Sequence, residues 1–423
     1  MKTNLLLLAM LLVSLCAQAQ IPATKFDNLR VFIDCQTFCD SDYIKREITF
    51  VDYVNDRFQS NVYLQITSQR TGSGGREYKL QFVGQGKFEG MTENLSYIRQ
   101  ATATDDEDRK EAVAKIKLGL LPFLLKTDKA KDLLISFKGA DQASEIATAP
   151  TEDPWNFWVF NVNMRGYFSG DKNYSSNYLS GGFSANRVTD KLKTSFSTNA
   201  SESNNRFGEG DAEFTYTNRS YNLSNTTVWS LTNKLSAGGY FSALKSDYNN
   251  YDLALELTPA IEYNFYPYSE SNNKYVGLMY KVGPRYFKYM EETIYSEHEE
   301  LRFQQSLSLD MSFNQKWGQL SGSTTYSHYL HDLTKKRLTF SGYADIRLVK
   351  GLSFNVGGYY AIQHDQLNIL KGTVTGEDLL TRRRQLNSNY DFYFNFGIRY
   401  RFGSIFNNIV NPRFDGGGGR MYF

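Results

Sequence analysis

Two rhythms of apolar and polar positions divide the chain. From about residue 155 to residue 402 the two kinds alternate at period two, segment after segment, while residues 21–150 mix that period with helical spacing. The clearest segment is YDFYFNFGIRYRF, residues 390–402. Its even positions, Tyr390 to Phe402, are all large and apolar, and its odd positions hold Asp391, Asn395, Gly397, Arg399 and Arg401, with Tyr393 the exception. In 301–313, Leu301, Phe303, Leu307, Leu309, Met311 and Phe313 oppose Arg302, Gln304 and Asp310. In 338–348, Leu338, Phe340, Ile346 and Leu348 oppose Thr339, Asp345 and Arg347. The pattern predicts about twelve strands, with ten or fourteen as alternatives, near 156–168, 177–187, 191–200, 214–231, 235–245, 253–266, 275–288, 301–314, 318–330, 337–349, 352–364 and 390–402. Short turns (RVTDK, LTNK, NQKWG, VKG) mark one end of the sheet, and the long stretches around 200–213 and 365–389 mark the other.

Runs of ten or more residues are long enough to cross a hydrocarbon layer as tilted strands. Aromatics recur toward strand ends, as interfacial girdles do. The polar face carries both signs of charge at mid-strand, which suits a wet or ion-paired lumen. Because lipid offers no partner to backbone N–H and C=O groups, a sheet in a membrane must close on itself. A transmembrane antiparallel β-barrel is therefore expected, in preference to a soluble sandwich whose apolar face would turn inward.

The first region reads as a small α+β domain. LRVFIDC (29–35) predicts a buried strand, and Asp40 or Ser41 a cap for a helix carrying Ile44, Ile48, Val51 and Phe58 on one stripe. NVYLQITSQ (61–69) and REYKLQFVGQG (76–86) flank GSGG as a hairpin. DDEDR (105–109) opens a second helix, its acids suiting the helix dipole, and lacks the ligand spacing of a calcium loop. DLLISFKG (132–139) predicts a last strand, and TEDPW (151–155) a hinge.

The N-terminus changes the compartment. MKTNLLLLAMLLVSLCAQAQ combines Lys2, an apolar core from Leu5 to Leu15 and the small-x-small site Ala17-Gln18-Ala19, a secretory signal peptide over residues 1–19. Cys16 raises a lipoprotein alternative that Leu15 fits poorly. In an exported chain Cys35 and Cys39 form a disulfide or stay as two thiols, and with no nearby His they make no metal site. The near-balanced charge of +2 gives no reason to expect nucleic acid as a partner, and no later stretch is apolar enough for a transmembrane helix.

Residues 151–403 resemble Gram-negative outer-membrane β-barrel proteins, and AQAQ with the Tyr/Asn-rich strands resembles secreted proteins of Bacteroidota. The family's assembly signal matches Asn395, Gly397, Tyr400 and Phe402. The resemblance implies that these residues are read by the barrel assembly machinery, and that the chain sits in the cell outer membrane among its lipids. The chain departs from the pattern by running 21 residues past Phe402, so 404–423 is expected as a periplasmic tail. The domain at 20–150 weakly resembles the α/β domains that such proteins hold in the periplasm, which implies a periplasmic partner of unknown identity.

No G-x-S-x-G elbow, H-E-x-x-H or phosphate loop occurs, and no cofactor is implied. The charges predicted to face the lumen are Glu256 and Glu262, then Lys281 and Arg285, Arg302 and Asp310, Asp345 and Arg347, and Asp391, Arg399 and Arg401. They read as the selective constriction of a porin-like small-solute channel, or as the paired charges of a closed structural or assembly barrel that anchors the domain. A lipid hydrolase is the third reading: His328 and His364 fall on the lipid face, where a serine within reach would be required. TRRRQ (381–385) is a candidate contact for lipopolysaccharide phosphates or a solvated loop.

Overall fold

The structure is a computed structural model that describes residues 28–134, 153–208, 213–349, 351–404, 406 and 408, apart from 73, 374, 377 and 379–383. The signal segment, the hinge start and most of the tail lie outside these residues.

The N-terminal domain is a five-stranded sheet in the order β2-β1-β3-β4-β5. Its strands are β1 (Leu29–Cys35), β2 (Val51–Tyr53), β3 (Val62–Arg70), β4 (Arg76–Gly84) and β5 (Thr92–Arg99). β1 runs parallel to β2 and β3, and β3, β4 and β5 form an antiparallel meander. Helix α1 spans Ser41–Glu47, capped by the Asp40 carboxylate, which accepts from the Tyr43 amide at 2.9 Å. It ends well before the predicted Phe58. The run Ile48-Thr49-Phe50-Val51 is β-branched and aromatic and leaves the helix at Ile48 (φ −121°); Val51 pairs with Leu29 in the sheet and Phe58 is exposed.

Helix α2 spans Asp105–Leu124 and starts on a Thr104/Glu107 capping box. Its acids are occupied by cations: Arg99 reaches Asp105 at 2.8 Å and Asp108 at 3.3 Å, and Arg109 and Lys110 each hold Asp106 at 2.6 Å. β5 had no counterpart in the sequence pattern, because TENLSYIR alternates around one half-buried edge with few apolar residues. Asp132 ends a 3₁₀ turn and the rest of the expected last strand, from 135, lies outside the described residues. Val31, Leu64, Phe82, Ile116, Leu120 and Phe123 make the core.

The second sheet has twelve antiparallel strands in up-and-down order and forms the barrel. They are β6 (Trp158–Gly170), β7 (Tyr174–Val188), β8 (Leu192–Phe207), β9 (Phe214–Ser230), β10 (Leu235–Ser246) and β11 (Tyr251–Asn264). There follow β12 (Lys274–Tyr289), β13 (Glu299–Gln315), β14 (Gly318–Tyr329), β15 (Asp332–Val349), β16 (Leu352–Gln363) and β17 (Tyr390–Tyr400). All twelve match the sequence pattern. β15 starts earlier than expected, at Asp332, and the largest boundary shift is in β8: the stretch 200–213 is not a long loop, because β8 and β9 pair all the way to Phe207↔Phe214. Those extensions carry outward ion pairs, Arg219–Glu202 at 2.9 Å and Arg206–Glu213 at 3.0 Å, and so belong in water, where hydrophobic alternation is not needed. Among the described residues β6 and β17 form no pairing with each other, and both are exposed on both faces.

The domain lies over one mouth of the barrel, here called proximal, at the end that holds the β7–β8, β9–β10, β13–β14 and β15–β16 turns; short turns after β6 and β14 close the other end too, so turn length does not separate the two ends as the sequence pattern suggested. Its side chains reach the backbone at Gln315 and Lys316 in the β13–β14 connection and at Ser404 just past β17. The opposite mouth is called distal.

Gly119 of α2 has a packing role that predicts an outcome. A Cβ there would lie 2.1 Å from the fully buried Phe82 ring. Gly119→Ala should cost about 1–3 kcal/mol through overpacking. Amide hydrogen exchange in α2 should then accelerate by about fivefold or more, and unchanged protection would refute this packing account.

Candidate functional site: the lumen and its junction with the N-terminal domain

The strand registers settle which face each residue takes. Glu256 stands opposite Arg285, and Asp345 opposite Asn355, which in turn stands opposite Gly397. These rows and their period-two neighbours line the lumen. Glu256, Glu262, Lys281, Arg285, Arg302, Asp310, Asp345, Arg347, Asp391 and Arg399 share this inner face, while Arg401 lies just past β17. They do not make one continuous ring. Arg285 bonds Glu256 at 3.3 Å and donates to Gln304 at 2.8 Å. Arg302 pairs with Glu300 at 2.6 Å. Glu262 accepts from the Tyr268 hydroxyl at 2.8 Å, Lys281 stacks over the Tyr240 ring at 5.1 Å, and Asp391 accepts from Tyr359 at 3.3 Å.

The opposite wall is built of hydroxyls and amides, with Lys193 as a charge at its proximal end. Ser184, Ser197, Ser224 and Ser242 stand in one register row across β7 to β10 and end at Glu256. The Ser197 and Ser224 hydroxyls are 2.7 Å apart. The sign of this wall in the sequence is the serine and asparagine density at the inward positions of those strands.

The distal mouth is closed from within. The β16–β17 connection folds back so that Leu367 packs with Tyr251, Phe287, Tyr289 and Tyr329. Asn368 donates to the Asn249 carbonyl at 3.0 Å, the Ile294 amide donates to Ile369 at 2.9 Å, and Arg337 holds Asp365 at 3.0 Å. Of TRRRQ, residues 381–383 lie outside the described residues; Arg384 turns back onto the buried Asp378 carboxylate at 2.7 Å.

The proximal mouth is held by one side chain of β1. Asp34 is 3% exposed. Arg347 of β15 donates to both of its oxygens, at 2.6 Å to Oδ2, and the Tyr63 hydroxyl of β3 donates to Oδ2 as well. Burial first, and then the adjacent Asp34 carboxylate, push the Tyr63 pKa far above its ordinary value, so the phenol stays a donor. Gln36 donates to the Gln315 carbonyl, and Arg57 to the Lys316 carbonyl. The loop after β1 is tied by a disulfide between Cys35 and Cys39. Past β17, Phe406 bridges Val54, and Asn408 accepts from the Tyr53 amide and donates to Asp52 at 2.9 Å. Asp34 is legible only as an acid within a mostly apolar strand that also carries Arg30; Tyr63, Gln36 and Arg57 carry no sequence sign of this role.

Between the domain and the lumen floor lies a cavity of about 540 Å³, lined among others by Phe32, Asp56, Arg57, Tyr343, Arg399 and Arg401. Burial, followed by the nearby Arg347 charge, lowers the Arg57 pKa from its ordinary value.

On the outer face, Phe394, Phe396, Ile398 and Tyr400 are exposed, as are Leu257, Ile261, Leu307 and Phe340. In β17, Asn395 and Gly397 face the lumen; Tyr400, with Phe402 just past the strand end, follows the outward alternation. His328 also faces outward and is bonded by Gln305 at 2.7 Å, which in turn accepts from Tyr280. No serine bonds His328 among the described residues, and His364 is exposed, its amide donating to Lys336. The hydrolase geometry is therefore not assembled at these histidines.

No protein-family model and no curated protein matches the sequence. Solved structures that align with just over half of the chain include a porin and an autotransporter translocator domain. The NanC porin, in a rhombohedral crystal form, is 9% identical, with 57% of this chain and 99% of that chain covered and a TM-score of 0.28. The translocator domain of the autotransporter NalP from Neisseria meningitidis is 14% identical, with 58% and 82% covered and a TM-score of 0.18. The fold rests on the chain's own strand order, not on these scores.

The junction yields a graded expectation. Asp34→Ala leaves the Arg347 guanidinium without its partner and should cost about 3 kcal/mol, whereas Tyr63→Phe removes one hydrogen bond and should cost about 1 kcal/mol. Trp317, whose carbonyl accepts from the Arg347 amide at 2.8 Å, reports on this region. Urea titration of the full chain in micelles, followed by tryptophan fluorescence, should order the midpoints wild type, Tyr63→Phe, Asp34→Ala; equal midpoints would remove the pair from its structural role.

Proposed function

We propose that the chain is an outer-membrane β-barrel protein that works as a gated small-solute channel, with its N-terminal domain as the periplasmic plug. The outward apolar band supports membrane residence: large side chains stand exposed on strand after strand, while charge and hydroxyls turn inward. The observation that carries the gate is the Asp34–Arg347 pair, a buried ionic contact between the plug and the lumen wall. A permanent seal would bury apolar area. This junction is instead built from hydrogen bonds and one ion pair around a cavity, the kind of inter-domain contact that allows relative motion. Nothing in this reading requires enzymatic chemistry.

One observation favours a second reading. The distal mouth is packed shut by Leu367 against four aromatic rings, which suits a sealed barrel that only anchors its domain.

Planar-bilayer recording separates the two. The refolded full chain should first show a heat-modifiable gel shift, as a barrel does. Wild type should then conduct rarely, and Asp34→Ala should raise the open fraction by about a hundredfold, the factor that loss of about 3 kcal/mol from the closed state produces. Silence from both proteins would leave the anchor. A chain that stays soluble without detergent and shows no gel shift would sink the membrane reading.

A further inference from the structure

We infer that the cavity between the plug and the lumen floor binds a small zwitterion: a free amino acid or short peptide with an unblocked ammonium and an unblocked carboxylate. The inference takes its site from the gated-channel reading, but binding does not require conduction.

The size is suitable, since about 540 Å³ lies within the usual range of small-molecule sites. The chemistry is more specific. Three buried polar atoms on the lining have no hydrogen-bond partner: Gln36 Oε1, Asp56 Oδ2 and Arg57 Nε. Buried polar groups are nearly always satisfied, so each of these calls for an explanation. Two are acceptors that need a donor, and one is a donor that needs an acceptor. The charges repeat this division. Once Asp34 and Arg347 are paired, Arg399 and Arg401 line the cavity with no ion-pair partner among the described residues, and so does Asp345.

A simple anion would satisfy the guanidinium groups but would face the Asp56 and Asp345 carboxylates. A simple cation would have the reverse fault. A neutral solute would make no charge-assisted contact with either the guanidinium groups or the carboxylates. A zwitterion offers its carboxylate to the planar guanidinium groups and its ammonium to the carboxylates and to Gln36. Phe32 of the domain and Tyr343 of the barrel, both on the lining, supply apolar surface for the chain between.

The test is calorimetric titration of the full chain in detergent micelles. Triglycine should bind saturably. N-acetyltriglycine, triglycine amide, acetate and ethylammonium should each bind about tenfold more weakly or worse, the loss of one charge-assisted contact. Replacing both arginines (Arg399→Gln with Arg401→Gln) should weaken triglycine by a similar factor while the heat-modifiable gel shift is retained. Asp56→Asn should weaken triglycine but leave N-acetyltriglycine unchanged, a pattern that misfolding cannot produce. Acetate binding as tightly as triglycine would replace the zwitterion with a plain anion, and absence of heat with every probe would overturn the site. Binding that persists in a protein that never conducts would sink the gate alone; conduction by Asp34→Ala without binding would sink the site alone.

Discussion

A carboxylate removed from water needs charged or hydrogen-bonding partners, and the arrangement of this molecule follows from where Asp34 finds them. Its own domain supplies the Tyr63 hydroxyl and the Gln36 amide, and the barrel supplies the Arg347 guanidinium. Without the barrel, β1 would carry a buried acid with neutral donors only. Without the domain, β15 would present an unpaired cation near the lumen floor. Each half therefore completes the electrostatics of the other, and the domain is held over the proximal mouth by the Arg347 pair and by hydrogen bonds from Gln36, Asn55 and Arg57 to the barrel backbone.

The barrel was legible because period two is a strong constraint. A strand with one face toward hydrocarbon and one toward a polar lumen cannot slip by a residue without reversing both. Leu301 to Phe313 and Tyr390 to Phe402 show that rule in the sequence, and the registers repeat it. Legibility failed where the surroundings relax the rule. The ends of β8 and β9 stand beside ion pairs and hydroxyls, so their alternation is polar on both faces and reads as loop. Helix α1 was read too long because Ile48 and Val51 fall on the right stripe for a helix, while their β-branched run supports the parallel pairing with β1 instead.

The candidate site was legible only in part. Inward charges follow from alternation, so Glu256, Arg285 and Arg347 could be placed on the lumen face. Their partners could not. Arg347 finds Asp34 at a sequence distance of 313 residues, and only the docking of two domains brings them together. The lumen is also two-sided, a hydroxyl and amide wall over β7 to β10 facing a wall of ion pairs and aromatics. Composition averages the two, so counting charges finds one wall and misses the other. The free edges of β6 and β17 add a demand of their own. Hydrocarbon cannot satisfy their unpaired N–H and C=O groups, so in a membrane they must meet each other or a third strand.

The contact between Asn408 and Asp52 spans 356 residues of sequence, and Phe406 bridges Val54 beside it. This gives folding a chronology. The N-terminal domain emerges first and can build its core from local pairings, but the outer edge of β2 stays open until the last barrel strand has been laid down and the chain has returned past it. Contacts of such separation form late, because the intervening loop must be closed before they yield any energy. The domain that begins the chain is thus finished by the segment that ends it, and a barrel stalled before β17 would leave that edge exposed as a mark of incomplete assembly.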